Sequence, residues 1–228
     1  MFQRLSIGAV VPFQAEALER IERGDNPQEV LAALAITPAD LIEALTASGL
    51  GHELDAVGPP LLQQPPPRPK LAFALSVAAL SALLPKAQPV SLLALRAGLC
   101  QVLDFWDDSH EAAQMADDQG EREVSGYWHG IAHRREPDAS NASYWFRRVG
   151  RHPLYPTLAR SASAILFGPV GSSVADRVIQ ANAWDPFGFI ELCIRSKPDS
   201  PEAVMARRLQ RLEMLGLLEV TCQRAGLS

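Results

Sequence analysis

The sequence predicts an all-α fold, built as a small N-terminal helical module followed by a larger helical domain. Three observations carry this. Apolar residues recur at three- and four-residue spacing in one segment after another. A polar capping residue followed by Pro is written four times, at Asn26-Pro27, Thr37-Pro38, Asp185-Pro186 and Ser200-Pro201. No stretch sustains the period-two alternation of a half-buried strand. A length of 228 residues holds one domain with an appendage, or two small domains.

In chain order, Phe13 to Arg23 is a short amphipathic helix with Phe13, Leu18 and Ile21 on its apolar side. Asn26-Pro27-Gln28-Glu29 starts a second helix, with Val30, Leu31 and Leu34 at helical spacing. Thr37-Pro38-Ala39-Asp40 starts a third, carrying Leu41, Ile42 and Leu45, which Gly49 and Gly51 close. The last pair resembles a helix-turn-helix. Its second helix, Pro38 to Ser48, carries no Arg, Lys, Asn or Gln to read base edges. A net charge of −5 and a pI near 5.6 also argue against nucleic acid as a partner.

Residues 1–57 thus form the N-terminal module. GPPLLQQPPPRPK, residues 58–70, reads as a Pro-rich extended linker. Residues 71–228 form the helical domain. It opens on Leu71 to Leu84, an apolar run shorter than the ~20 residues of a bilayer span, hence a core helix and no membrane segment. Pro89 breaks the chain and Ser91 caps a helix from Leu92 to about Phe105, burying Leu92, Leu95, Leu99 and Leu103. The segment from Asp104 to Asp118 is acidic. Tyr155 to Leu166 is helical, Gly168 to Ser173 a loop, and Asp185-Pro186 opens a helix to about Ser196. The final helix starts at Ser200-Pro201-Glu202, with Val204, Leu209, Leu212 and Leu215 on its apolar face.

Between these lies the densest stretch of Trp, Tyr, His and Arg, SGYWHGIAHRREPDASNASYWFRRVGRHP, from Ser125 to Pro153. Tyr127 to Glu136 and Ala142 to Val149 read as helices joined by the turn residues 137–141, with Gly150 as C-terminal cap: an αα-hairpin. Gly130, His133, Pro137-Asp138, Ala142, Phe146 and Val149 fall at the spacing of the small, aromatic and turn positions of a tetratricopeptide-type repeat, which the hairpin resembles. A weaker echo precedes it at Leu92 to Ala116, with Gly98 and Ala113 as small residues. The wording HRREPD…NA…YWFRRVG is similar to that of a family of bacterial proteins without an assigned activity. These resemblances imply a helical-repeat fold. In such a repeat the first helix lines the concave groove, which implies that Tyr127, Arg134 and Arg135 face it.

Three functional readings follow. The first is a helical protein that binds an anionic small molecule or an acidic peptide through Tyr127, His133, Arg134, Arg135, Tyr144, Arg147 and Arg148, because guanidinium forks grip carboxylate and phosphate oxygens in pairs. The acidic segment offers these cations an internal alternative. The second is a metal-dependent enzyme. His129 and His133 share a helix face at i and i+4, and His110 with Glu136 completes a candidate set for Zn, Fe or Mn. A metal-free variant of it pairs His133 as base with Glu111 or Asp108. The third is a scaffold without a ligand site, its hairpins packing and its N-terminal module recruiting a protein partner; a homo-oligomer is compatible with all three.

Cys100, Cys193 and Cys222 are odd in number and far apart, which fits buried thiols in a reducing compartment. The first twenty residues have no continuous apolar core and turn charged early, unlike a secretory leader. A cytoplasmic location is the expectation.

Overall fold

The computed structural model describes residues 12–51 and 56–227, with side chains from residue 14. The expectations for the extreme N-terminus and for the Phe13 side chain therefore lie outside the described residues. Within them the chain is all-α, with twelve α-helices, one 3₁₀ helix and a ribbon of two two-residue β-strands.

Three short helices come first, α1 (Pro12–Glu22), α2 (Pro27–Leu34) and α3 (Pro38–Leu50). The caps are where the sequence puts them. Asn26 accepts from Gln28 N at 2.9 Å, and Thr37 and Asp40 form a reciprocal capping box. Gly49 does not end α3. It lies inside it, where an added Cβ would fall 2.2 Å from the Val102 carbonyl oxygen, so its role is close packing against the chain at Val102; Gly51, at φ +82°, ends the helix.

Residues 58–70 are no free spacer. They lie as a strap across the larger helical body. Arg207 donates to the Gly58 and Pro59 carbonyls, Gln210 to Pro59 and Pro60, and Arg135 to Pro60 and Leu62. The Gln63 N–H returns a bond to the Arg135 carbonyl at 2.9 Å. A polyproline stretch has few donors but leaves its carbonyls unpaired, so Arg and Gln side chains are the natural partners. One apolar cluster runs from Ala17 and Leu41 through Leu95 and Trp128 to Leu217 and Ala225. The N-terminal helices and the larger body thus share a core.

The apolar run expected as one helix is split. A 3₁₀ turn (Pro69–Leu75) stops at Ser76, whose hydroxyl accepts from Ala79 N and starts α4 (Val77–Leu83). α5 (Pro89–Val102) begins at Pro89 itself, with Gln88 as cap in place of Ser91. Asp104, at φ +63°, breaks the chain before α6 (Trp106–Asp118). α7 (Val124–Arg135) and α8 (Ala139–Val149) make the expected hairpin, with Asp138 capping α8 and Gly150 at φ +66°. A Cβ on Gly130 would stand 2.8 Å from the Phe146 ring, so glycine lets α7 and α8 approach.

α9 (Tyr155–Ile165) follows, then α10 (Gly168–Val178), which occupies the segment expected as a loop. Its Gly-Pro start reads as loop chemistry, yet Pro is at home in a first turn. β1 (Ile179–Gln180) and β2 (Ala183–Trp184) pair through Ala181 and Asn182, both at positive φ, and α11 (Pro186–Arg195) follows. α12 (Pro201–Arg224) spans 24 residues through the centre. Its buried side includes polar Gln210, Glu213 and Thr221, while of the expected apolar stripe Leu209 is sealed and Val204, Leu212 and Leu215 are half-buried.

No single described helix is long and apolar enough to cross a membrane. α2 and α3 reach the length only together, across a 108° bend.

Candidate metal centre

α6 and α7 lie side by side, joined by a short turn at Gly120. His110 stands one turn into α6, and His129 and His133 stand one turn apart on α7. Their ring centroids are 4.3 Å apart for His110 and His129, and 5.0 Å for each of the other two pairs. One nitrogen from each ring lies within 4.8 Å of the others. Three nitrogens bound at about 2.0–2.1 Å around a tetrahedral ion would sit about 3.3 Å apart, so the set closes by at most about 1.5 Å on binding. Side-chain rotation on two fixed helices covers that range.

Trp106 stacks on His110 at 5.2 Å and donates its indole N–H to the Ala132 carbonyl at 2.9 Å, tying α6 to the last turn of α7. Trp145 of α8 stacks on His129 at 3.8 Å. His133 is held through Nδ1, 2.9 Å from Glu136 Oε2. His129 Nδ1 is buried with no hydrogen-bond partner. An imidazole nitrogen left so in a packed interior is costly unless something fills its lone pair.

The local electrostatics favour the neutral, ligating form. Burial lowers the His129 pKa to about 3, helped by repulsion from His110, His133 and Arg148. Burial and His133 also lower that of His110, against the pull of Glu136 and Asp107. Neutral imidazoles are metal ligands as they stand. Three nitrogen donors suit zinc or ferrous iron better than manganese, which prefers oxygen.

Among the described residues, no groove opens beside Tyr127, Arg134 and Arg135. Tyr127, Arg134 and Arg135 are fully buried. Arg134 Nη2 bonds Glu213 Oε2 at 2.5 Å and Tyr127 Oη donates to Glu213 Oε1 at 3.0 Å. Arg135 Nη2 meets Asp104 Oδ1 at 2.5 Å and latches the strap. The three side chains expected to face a groove are thus taken up inside, Tyr127 and Arg134 by Glu213 of α12 and Arg135 by Asp104 and the strap. Tyr144, Arg147 and Arg148 lie on the outer face of α8, away from those three. Arg148 Nη2 donates to both Asp117 carboxylate oxygens, at 2.9 and 3.0 Å, and the guanidinium lies over the Tyr144 and Trp145 rings. The acid–base pairing shifts too, since Arg96 takes Asp108 and Glu111 and leaves Glu136 as the carboxylate on His133.

Sequence reasoning missed Trp106 and Trp145 as walls of this cluster; the four-residue offset from Trp106 to His110 was the available signal for the first, and no local spacing marks the second. It also missed Glu213, whose partners lie 79 and 86 residues away. No protein-family model, curated protein or solved structure matches the chain.

Proposed function

We propose that the protein is a metal-dependent enzyme whose centre is held by His110, His129 and His133, with zinc as the metal and ferrous iron as the next candidate. The observation that carries this is the convergence of three imidazoles, two of them buried and one with an unpartnered nitrogen. Structural zinc sites close with four protein ligands, whereas catalytic ones use three and keep a position open. Three histidines support the second kind. A bound divalent cation supplies Lewis acidity at that open position. The chain's own residues supply the frame: two tryptophans hold two of the rings, and the half-exposed His110 marks the side open to a substrate.

The likeness of the α7–α8 hairpin to a tetratricopeptide-type repeat belongs to the same reading and is supported by the close fit of Gly130 on Phe146 and of buried Ala142 between the helices. In this protein the hairpin serves as a platform for ligands. Three buried free thiols support a reducing compartment such as the cytoplasm.

The test is the metal content of untagged protein, measured by elemental analysis, with wild type beside His129→Ala and His110→Ala. One equivalent in wild type and none in either variant is expected. Metal-free wild type that also takes up no added Zn²⁺ or Fe²⁺ refutes the proposal.

A further inference from the structure

We infer that Glu136 is not a metal ligand but the positioning residue of the centre, fixing His133 so that its Nε2 faces the metal. This rests on the metal reading above and goes one step further. The structure brings together two overlapping sets of candidate ligands, His110/His129/His133 and His133/Glu136/Asp138. They share His133, and the question is whether they are two metal positions or one.

Two observations decide for one. Asp138 is consumed as the α8 cap: Oδ1 accepts from Asn141 N and Oδ2 from Asn141 Nδ2, each at 3.0 Å. The Glu136 carboxylate is on His133 Nδ1 at 2.9 Å. A carboxylate accepts, so the proton sits on Nδ1, which leaves the Nε2 lone pair as the only one that His133 can offer. The second set is therefore the outer layer of the first.

The three rings are also held by different means. Trp106 and Trp145 stack on His110 and His129 and set orientation without adding charge. Among the described residues, His133 is the one ring of the three with a hydrogen-bonded carboxylate. That bond both orients the ring and strengthens its nitrogen as a donor. It also places one negative charge beside a cation that three neutral ligands leave uncompensated. Glu136 is itself well anchored. Its N–H bonds Ala132 O at 3.0 Å, the carbonyl that also receives Trp106, and the preceding Arg135 carbonyl takes the strap's Gln63.

The experiment uses the full chain, stripped of metal, with Zn²⁺ and Co²⁺ alone as probes. Affinity is read by competition with a chromophoric chelator, and the inner shell by X-ray absorption of the zinc-loaded proteins. Glu136→Ala is expected to weaken Zn²⁺ binding 10- to 100-fold, the range for outer-layer partners. Glu136→Gln, whose amide oxygen still accepts from Nδ1–H, is expected to lose less. Both should keep the wild-type inner shell of nitrogen donors, and the metal-free proteins should melt together with wild type. If Glu136→Ala loses a metal–oxygen distance, Glu136 is a ligand and the inference is overturned. Affinity unchanged within twofold overturns it as well. Should Glu136→Ala fold poorly, the ordering of wild type above Glu136→Gln and the inner shell of that variant decide alone. Wild type that binds neither ion fails the metal reading itself, a different outcome from wild type and Glu136→Ala binding equally.

Discussion

Replacing Glu213 with Leu tests whether Arg134 belongs to the interior or to a ligand. Both side chains are fully buried, joined at 2.5 Å, and the guanidinium lies 4.4 Å over the Phe189 ring. Glu213 is also the acceptor for Tyr127 Oη at 3.0 Å. Without it, Arg134 is a buried charge with no counter-ion, an arrangement that costs about 3–5 kcal/mol. The stranded Tyr127 hydroxyl adds about 1 kcal/mol. A total near 5 kcal/mol, at about 2–4 °C per kcal/mol for a chain of this size, lowers Tm by roughly 10–20 °C. The assay is thermal and urea unfolding of wild type, Glu213→Leu, Arg134→Met and the double variant. Replacing both partners by apolar groups removes the stranded charge, so the double variant should recover most of the loss. Glu213→Gln, which keeps an acceptor, is the milder control. If Arg134→Met and Glu213→Leu each melt within about 2 °C of wild type, Arg134 is hydrated and open to an anion, and the burial argument is wrong.

Zn²⁺ at 100 times its Kd should stabilise stripped wild type by about 2.7 kcal/mol, read as a Tm rise that His129→Ala does not show. His152, buried against the Tyr127 and Tyr155 rings with Glu123, Glu121 and Arg224 around it, has its pKa lowered to about 4 by burial. The unfolded chain therefore takes up a proton from about pH 6.5, which the native state refuses until about pH 4, and stability falls by up to about 3 kcal/mol as the pH drops through that window. His152→Asn, which keeps an acceptor for Leu154 N, should flatten the urea-derived stability curve between those limits by one proton's worth, measured without metal. Gly58→Ala should loosen the strap, since Gly58 has φ +88° and the new Cβ would fall 2.6 Å from Arg211 Cβ; a loss of about 1–3 kcal/mol and faster proteolysis within residues 58–70 are expected.

Helix starts were legible because a cap and a Pro are local chemistry; Asn26, Thr37, Asp185 and Ser200 all cap as written. The i, i+4 pair of His129 and His133 was equally plain, and His110 joined it because α6 and α7 are neighbours in sequence. The fate of the arginines was not. Whether Arg134 meets water or Glu213 depends on a helix that begins 67 residues later, and no local pattern marks that helix as the central one. Asp104 was among the acids expected to pair with the basic hairpin, and it does, with Arg135; Asp117 likewise takes Arg148. The Pro-rich segment read as a spacer because proline marks extended chain, and extended chain is silent on what its carbonyls touch.

The bonds from Gly58 and Pro59 to Arg207 close a loop of about 150 residues. At about 5–20 residues per second, a ribosome needs roughly 8–30 s to make that interval. About half-way through it Arg135 supplies the first latch on the proline segment, but the Arg207 and Gln210 bonds come only at the end, so the first three helices emerge early and are fully fastened late. A nascent chain halted before α12 holds every histidine of the centre and the Arg135 latch but neither Glu213 nor the Arg207 and Gln210 bonds, which leaves its unfinished core open to chaperones and proteases.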